Sequence, residues 1–373
     1  MKLFAAILLS MASVASAFPA FEKLTVEQLD RARQMLDERQ VLPNPIAPIL
    51  GGNMTVTVGK KVIPDAAHPF KAPSATAQRG PCPGLNLMAN YGYLDREGIT
   101  NFEELVYGQQ EVMGWGLDLS TFLAALAVAV DGNPVNQKVS IGGPDERVGT
   151  IPLLGDGTLP GGILKHNTYE IDSSLTRDDV AIGNNKVLNT TLWQDIWDVA
   201  DEMNGGQLNG KVMSVVREKR YEASVRDNPQ FAFAPIGVLF FFADQFLYNT
   251  MPTALDNGEP GPATRETISP FYGAKRTGER TWEYVPEHLP EGWVRRARPL
   301  SIPEAVLAGI DTVTAAASKG QLPVGITKED LTSPQGVVCA VKSIAIGQVP
   351  AAVVGLQGME MLLSSINSIG APC

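Results

Sequence analysis

The chain has 373 residues, 44% hydrophobic and 19% charged, a balance that excludes a disordered chain and a coiled coil. Forty acids against thirty bases leave a net charge of −10, and such a surface repels phosphate backbones, which argues against nucleic acid as a partner. Three cysteines, with no pair at CxxC spacing, exclude both a disulfide scaffold and a cysteine-built zinc site. With 36 glycines and 27 prolines the sequence is also rich in loop formers, so long shaped connections are expected.

Lys2, the apolar run from Leu3 to Leu9 and the small residues Ala15, Ser16 and Ala17 read as a signal peptide over residues 1–17. The run is shorter than the ~20 residues needed to span a bilayer, and no later stretch reaches that length free of charge and proline. A secreted, extracellular protein without a membrane partner is therefore expected. Asn53 and Asn189 open two glycosylation sequons. Residues 25–40 read as an amphipathic helix, which Thr25 and Gln28 would cap, with Leu29, Ala32, Met35 and Leu36 on one face. A Pro/Gly-rich stretch follows over 41–52, so residues 18–60 read as an N-terminal extension or propeptide and 61–373 as the main domain.

Within that domain, helical periods run over 101–113, a buried Ala/Leu-rich 117–130, 189–203, 211–226, 301–317 and 349–369. Residues 142–162 hold seven glycines and three prolines and are loop. The apolar run 238–242 fits strand or helix equally, and 280–299 has no period and reads as irregular. The fold class is mainly α, a single compact helical domain with long Gly/Pro-rich loops.

The chemically informative stretch is Arg79-Gly80-Pro81-Cys82-Pro83-Gly84-Leu85-Asn86. A cysteine between prolines sits on a constrained turn, and a helix can start just after it. The N–H groups and dipole of that helix would favour a thiolate. Residue types alone leave equal room for an inert buried cysteine.

Pro81-Cys82-Pro83 resembles the haem-ligating motif of the fungal haem-thiolate peroxidases, the family of chloroperoxidase and the unspecific peroxygenases. The resemblance continues through Asp65-Ala66-Ala67-His68-Pro69-Phe70, Asn90-Tyr91-Gly92-Tyr93-Leu94, Val130-Asp131-Gly132-Asn133, His166 to Asn185 with Glu170 to Arg177 inside it, and Asn228-Pro229-Gln230-Phe231. It implies haem b with Cys82 as proximal ligand, a thiolate that pushes electron density onto iron and favours O–O cleavage. It also implies a Mg²⁺ held by Glu170, the carbonyl of Ile171 and Ser174, all oxygen donors. Without the resemblance these residues read as a solvated loop. The family has Gly or His where this chain has Ile171, and nearby His166 reads as structural.

The family's distal acid–base is a Glu, in one branch with an Arg seven residues earlier. An ungapped count from Asn228 puts Asp244 and Gly237 at these positions. Asp keeps the carboxylate needed to move the peroxide proton, whereas Gly237 forfeits a positive charge. Asp244 could instead only cap or pair, with Glu218 and Glu222 as back-up acids. Tyr169, Phe240, Phe241, Phe242, Phe246 and Leu247 would line an apolar pocket, though such a cluster is equally core. Cys339 and Cys373 would form the C-terminal disulfide of the family's longer type, unless Cys373 makes an intermolecular bridge.

The implied function is a peroxidase or peroxygenase taking hydrogen peroxide and a small apolar or aromatic organic substrate, as monomer or homodimer. The alternatives are a haem-binding protein of the same fold, blunted by Asp244 and Gly237, and a helical binding protein without haem.

Overall fold

The computed structural model describes residues 58–151, 157–327, 330 and 334–347. The signal peptide, the helix over 25–40, Asn53, the helix over 349–369 and Cys373 lie outside the described residues.

The described chain is mainly α. Its first helices are α1 (Pro83–Tyr91), α2 (Phe102–Met113) and α3 (Leu117–Asp131). Asn101 caps α2 by accepting the Glu104 N–H, and α1 and α2 both end on a left-handed glycine, Gly92 and Gly114. Helix α3 packs on α2 and is buried on nearly every side, as its Ala/Leu composition predicts. After the loop over 142–162 and the segment around Glu170 come α4 (Thr190–Asn204) and α5 (Gly210–Asp227), capped by the side chains of Asn189 and Asn209.

Residues 238–243 are helical: α6 (Val238–Ala243) is followed by α7 (Phe246–Asn249) and α8 (Arg265–Ile268). The helical period read over 301–317 is broken in two, α9 (Ile302–Ala308) and α10 (Ile310–Ser318), at Gly309. The break has a packing cause. A Cβ at Gly309 would lie 2.9 Å from the Phe241 carbonyl oxygen and 3.0 Å from Phe242 Cα, so only glycine lets α9 and α10 close on α6. Helix α11 (Pro334–Gly347) then packs on α9 and on the tight turn Pro235–Gly237.

Among the described residues three antiparallel two-stranded ribbons staple the loops: β1 (Lys61–Val62) with β6 (Val294–Arg295), β2 (Ile99–Asn101) with β3 (Lys138–Ser140), and β4 (Ala274–Arg276) with β5 (Trp282–Tyr284). Two of these strands fall in 280–299, expected to be irregular; segments of two and three residues are too short to show an alternation. The core holds Trp193, Trp197 and Trp293, all fully buried.

Asp131, at the end of α3, is completely buried, with Lys165 Nζ 3.9 Å away and neither carboxylate oxygen in a hydrogen bond of normal geometry. Burial raises its pKa to about 7 against the pull of Thr168, Lys165 and the Tyr169 amide. The folded chain then keeps a proton between about pH 4 and 7 that the unfolded chain releases. Stability should fall as pH rises through that window, by on the order of 4 kcal/mol at full ionisation. Asp131→Asn is expected to flatten this loss, raising the unfolding midpoint at pH 8 but not at pH 4. Chemical denaturation at both pH values checks this, and equal losses in the two proteins would refute it.

Candidate active site

Cys82 is the N-cap residue of α1, with extended backbone (φ −82°, ψ 111°) and Pro83 in the first helical position. The loop before it is clamped by one side chain. Asn86 Oδ1 accepts the Gly80 N–H at 2.9 Å, and Asn86 Nδ2 donates to Gly80 O and to Glu287 Oε1, both at 2.9 Å. The backbone N–H groups of Leu85 and Gly84 bond the Cys82 sulfur and pull its pKa down, as the helix start predicts, and the Arg177 charge adds to that pull. Burial nevertheless outweighs them and holds the Cys82 thiol above its ordinary value, so the thiolate needs a cationic partner.

Cys82 faces a cavity of about 290 Å³. Its walls are mostly apolar: Leu85, Met113 and Phe122 come from the first three helices, and Leu239, Phe240, Phe242, Phe246 and Leu247 from α6, α7 and the residues around them. Tyr169 lines it too, its hydroxyl donating to Leu123 O at 2.7 Å. Phe241 does not. Successive residues of a helix turn by about 100°, so Phe240 and Phe242 face the cavity while Phe241 is buried in the core, its ring 5.8 Å from Phe233.

Asp244 also lines the cavity and is buried. The positive charge expected to be lost at Gly237 is present, supplied by a different helix. Arg217 of α5 holds both oxygens of Asp244, Nε to Oδ2 at 3.0 Å and Nη2 to Oδ1 at 2.6 Å. Position 237 has no space for a side chain, since a Cβ there would meet the Phe233 ring at 2.7 Å. Burial pushes the Asp244 carboxyl up, and Arg217 draws it down. The back-up acids are elsewhere: Glu218 pairs with Lys319 and Glu222 is exposed.

Glu170, Ile171 and Ser174 line the same cavity. Glu170 is buried and pairs through Oε2 with His166 Nδ1 at 2.7 Å, while its Oε1 makes no hydrogen bond of normal geometry, Asn185 lying beside it. Burial pushes the Glu170 carboxyl up against the pull of His166. The segment is held from α5, where Arg217 Nη1 donates to Ser173 O and Arg220 Nε to Ser174 O, each at 2.7 Å. Two arginines three residues apart thus shape both sides of the site, one of them through the acid itself. Arg177 is fully buried 3.9 Å from Glu287, with Nε and Nη2 unbonded. Among the described residues no group of three or more His, Cys, Asp and Glu side chains gathers as a metal cluster. Asn189 caps α4 with its amide oxygen and donates from Nδ2 to Asp178 Oδ1 at 2.6 Å. Cys82 is free, whereas Cys339 of α11 is disulfide-bonded.

These residues fit a haem group. A thiol faces an apolar cavity, and a Cβ at Gly84 would crowd Met113 Cε at 3.0 Å on the same wall. Cys82 would hold the iron, and the haem would supply the redox chemistry that no side chain here possesses. The Asp244–Arg217 pair can take a proton from a bound oxidant and return it. The apolar walls exclude water from that exchange.

Residues 68–298 match the family described as "Peroxidase, family 2". The chain is 31% identical over 229 residues to an aromatic peroxygenase of Coprinellus radians, covering 61% of this chain and 87% of that protein. It is 32% identical over 244 residues to an aromatic peroxygenase of Cyclocybe aegerita (64% and 62%), and 30% identical over 306 residues to a dothistromin biosynthesis peroxidase of Dothistroma septosporum (79% and 69%). A free Cys82 and a buried acid lining one mostly apolar cavity, with a family match over most of the domain, lead to one assignment: the chain belongs to the fungal haem-thiolate peroxidase family and is a haem-thiolate peroxidase or peroxygenase.

Proposed function

We propose that this is an exported enzyme that uses hydrogen peroxide to oxygenate or oxidise small apolar and aromatic molecules in the cavity beside Cys82. The observation that carries the reading is the Asp244–Arg217 pair, which puts an oriented carboxyl group into a cavity walled mostly by aliphatic and aromatic side chains. Such walls select apolar guests. The names of the relatives, aromatic peroxygenases among them, point the same way. Weak turnover is disfavoured as an alternative, because the charge missing at Gly237 comes from Arg217.

A Mg²⁺ ion on Glu170, the Ile171 carbonyl and Ser174 belongs to the same reading, supported by the buried, unbonded Glu170 Oε1 and the hard oxygen donors around it. Export is supported by the leader-like start of the sequence and by the disulfide at Cys339, since such bonds persist in oxidising compartments.

The test is turnover of naphthalene with ¹⁸O-labelled hydrogen peroxide, read by mass spectrometry. Label in the hydroxylated product is the expected result, and a haem-loaded protein that leaves both peroxide and naphthalene unconsumed would overturn the reading.

A further inference from the structure

Three aromatic rings form a path from the cavity wall to the surface. Tyr272, on the tight turn Ser269–Tyr272, lines the cavity, and the charge of Cys82 acts on its hydroxyl. Its ring centre is 4.7 Å from that of Trp193 on α4, and Trp193 is 6.4 Å from Trp282 on β5. Trp193 is completely buried, and Trp282 is half-buried on the outer ribbon β4–β5. Rings at contact distance exchange electrons readily, and indole is among the side chains easiest to oxidise.

The polar surroundings suit transport rather than storage. Trp193 Nε1 has no hydrogen-bond partner, so a radical cation there has no base to take its proton and passes the hole on. Trp282 Nε1 donates to Gln194 Oε1 at 2.8 Å, and Gln194 donates in turn to the carboxylate of Asp198 at 2.7 Å, which Arg280 neutralises with bonds of 2.7 and 2.6 Å, so no free anion behind the outer ring traps the hole there. Arg276, tied to the carbonyls of Gly278 and Glu279, sits 5.9 Å from the centre of the Trp282 ring. Its charge disfavours a lasting radical cation on Trp282, so the hole is passed on to a donor at the surface.

We propose that Trp282 is a surface site of one-electron oxidation for electron-rich phenols too large to enter the cavity, connected to it through Trp193 and Tyr272. The proposal rests on the peroxide-using reading above. Once peroxide has oxidised the haem group, one electron leaves Trp193 across the Tyr272 ring, Trp282 refills Trp193, and a phenol at the surface refills Trp282. The phenol gives up one electron and releases its O–H proton to water, leaving a phenoxyl radical. One hydrogen peroxide and two phenols yield two phenoxyl radicals and two waters: the O–O bond and two phenolic O–H bonds break, and two O–H bonds form on water.

The experiment compares the haem-loaded wild type with Trp282→Phe, which keeps an aromatic ring and removes the indole. Naphthalene serves as the probe that enters the cavity, and 2,6-dimethoxyphenol coupled to dextran as the probe that cannot. Trp282→Phe is expected to keep its absorption spectrum and naphthalene turnover and to lose most of its oxidation of the dextran-bound phenol. Independently of any variant, wild type frozen just after mixing with peroxide should show a tryptophan radical by electron paramagnetic resonance. A spin-trap adduct on Trp282 should be found by peptide mass spectrometry. Undiminished oxidation of the dextran-bound phenol by Trp282→Phe, or a wild type that consumes peroxide without an adduct on Trp282, would overturn the relay alone. A wild type that oxidises naphthalene but never the dextran-bound phenol would do the same. Failure of the wild type to consume peroxide at all would instead remove the functional reading, and the relay with it.

Discussion

Replacing Cys82 by alanine should abolish the thiolate-type absorption of the haem-loaded protein and reduce peroxide turnover to background. Cys82 is the one thiol among the described cavity-lining residues, and the Leu85 and Gly84 N–H groups bond its sulfur. Those two bonds do not overcome burial, which keeps the thiol above its ordinary value. A bound haem iron would supply the cation that stabilises the thiolate, and Cys82 is the residue that would hold it. The fold itself should survive the change, because the turn is held by Asn86 on Gly80 and Glu287 rather than by the cysteine. Absorption spectra of the ferric protein and of the reduced protein under carbon monoxide, for wild type and Cys82→Ala, give the result directly. A red-shifted Soret band present in the first and missing from the second is expected; a spectrum indifferent to residue 82 would sink the assignment.

The second large effect is at Asp244. If its carboxylate moves the peroxide proton, Asp244→Asn should lower turnover by about 10²–10⁴-fold, the usual scale of a lost general acid–base. The variant should also be less stable, by roughly 3–5 kcal/mol, because it leaves the Arg217 guanidinium buried without its counter-charge. The two effects separate in Asp244→Asn combined with Arg217→Met, which removes the stranded charge and should recover part of the stability, less the lost bond to Ser173 O, but no turnover. Arg217→Gln tests the pair from the other side. Arg217 draws the Asp244 carboxyl down against burial, so its loss should raise that pKa. The base must be ionised to work, and the acid limb of the turnover profile should therefore move to higher pH. Rates of peroxide consumption across pH decide the matter. Full activity in Asp244→Asn would show that another group carries the proton.

With the family resemblance in hand, the candidate site residues could be placed in residue order because the parts of the site are short and local. Pro81-Cys82-Pro83 forces a turn followed by a helix whatever surrounds it, since proline removes N–H groups and restricts its neighbours. The segment from Glu170 to Ser174 and the acid at Asp244 are likewise single stretches whose order along the chain could be counted. Arg217 was not legible. It lies 27 residues before Asp244 on a helix, α5, where nothing in the spacing distinguishes it from surface arginines. Phe241 failed for a simpler reason: three consecutive phenylalanines look alike in sequence, but a helix must send the middle one to a different face from its neighbours.

The same division holds for the whole chain. Composition and period determine the helical class, the long loops and the buried character of α3, because each depends on residues close in sequence. The break at Gly309, the strands at Trp282–Tyr284 and Val294–Arg295, and the meeting of Tyr272, Trp193 and Trp282 depend on partners far along the chain. Charge pairing shows the distinction most clearly. The sequence by itself determined that a carboxylate stands at residue 244, since a side chain's chemistry belongs to its own position. Only the tertiary structure decided that Arg217 accompanies it, because a buried ion needs a counter-charge near it in space, and separation along the chain does not limit which residue supplies it.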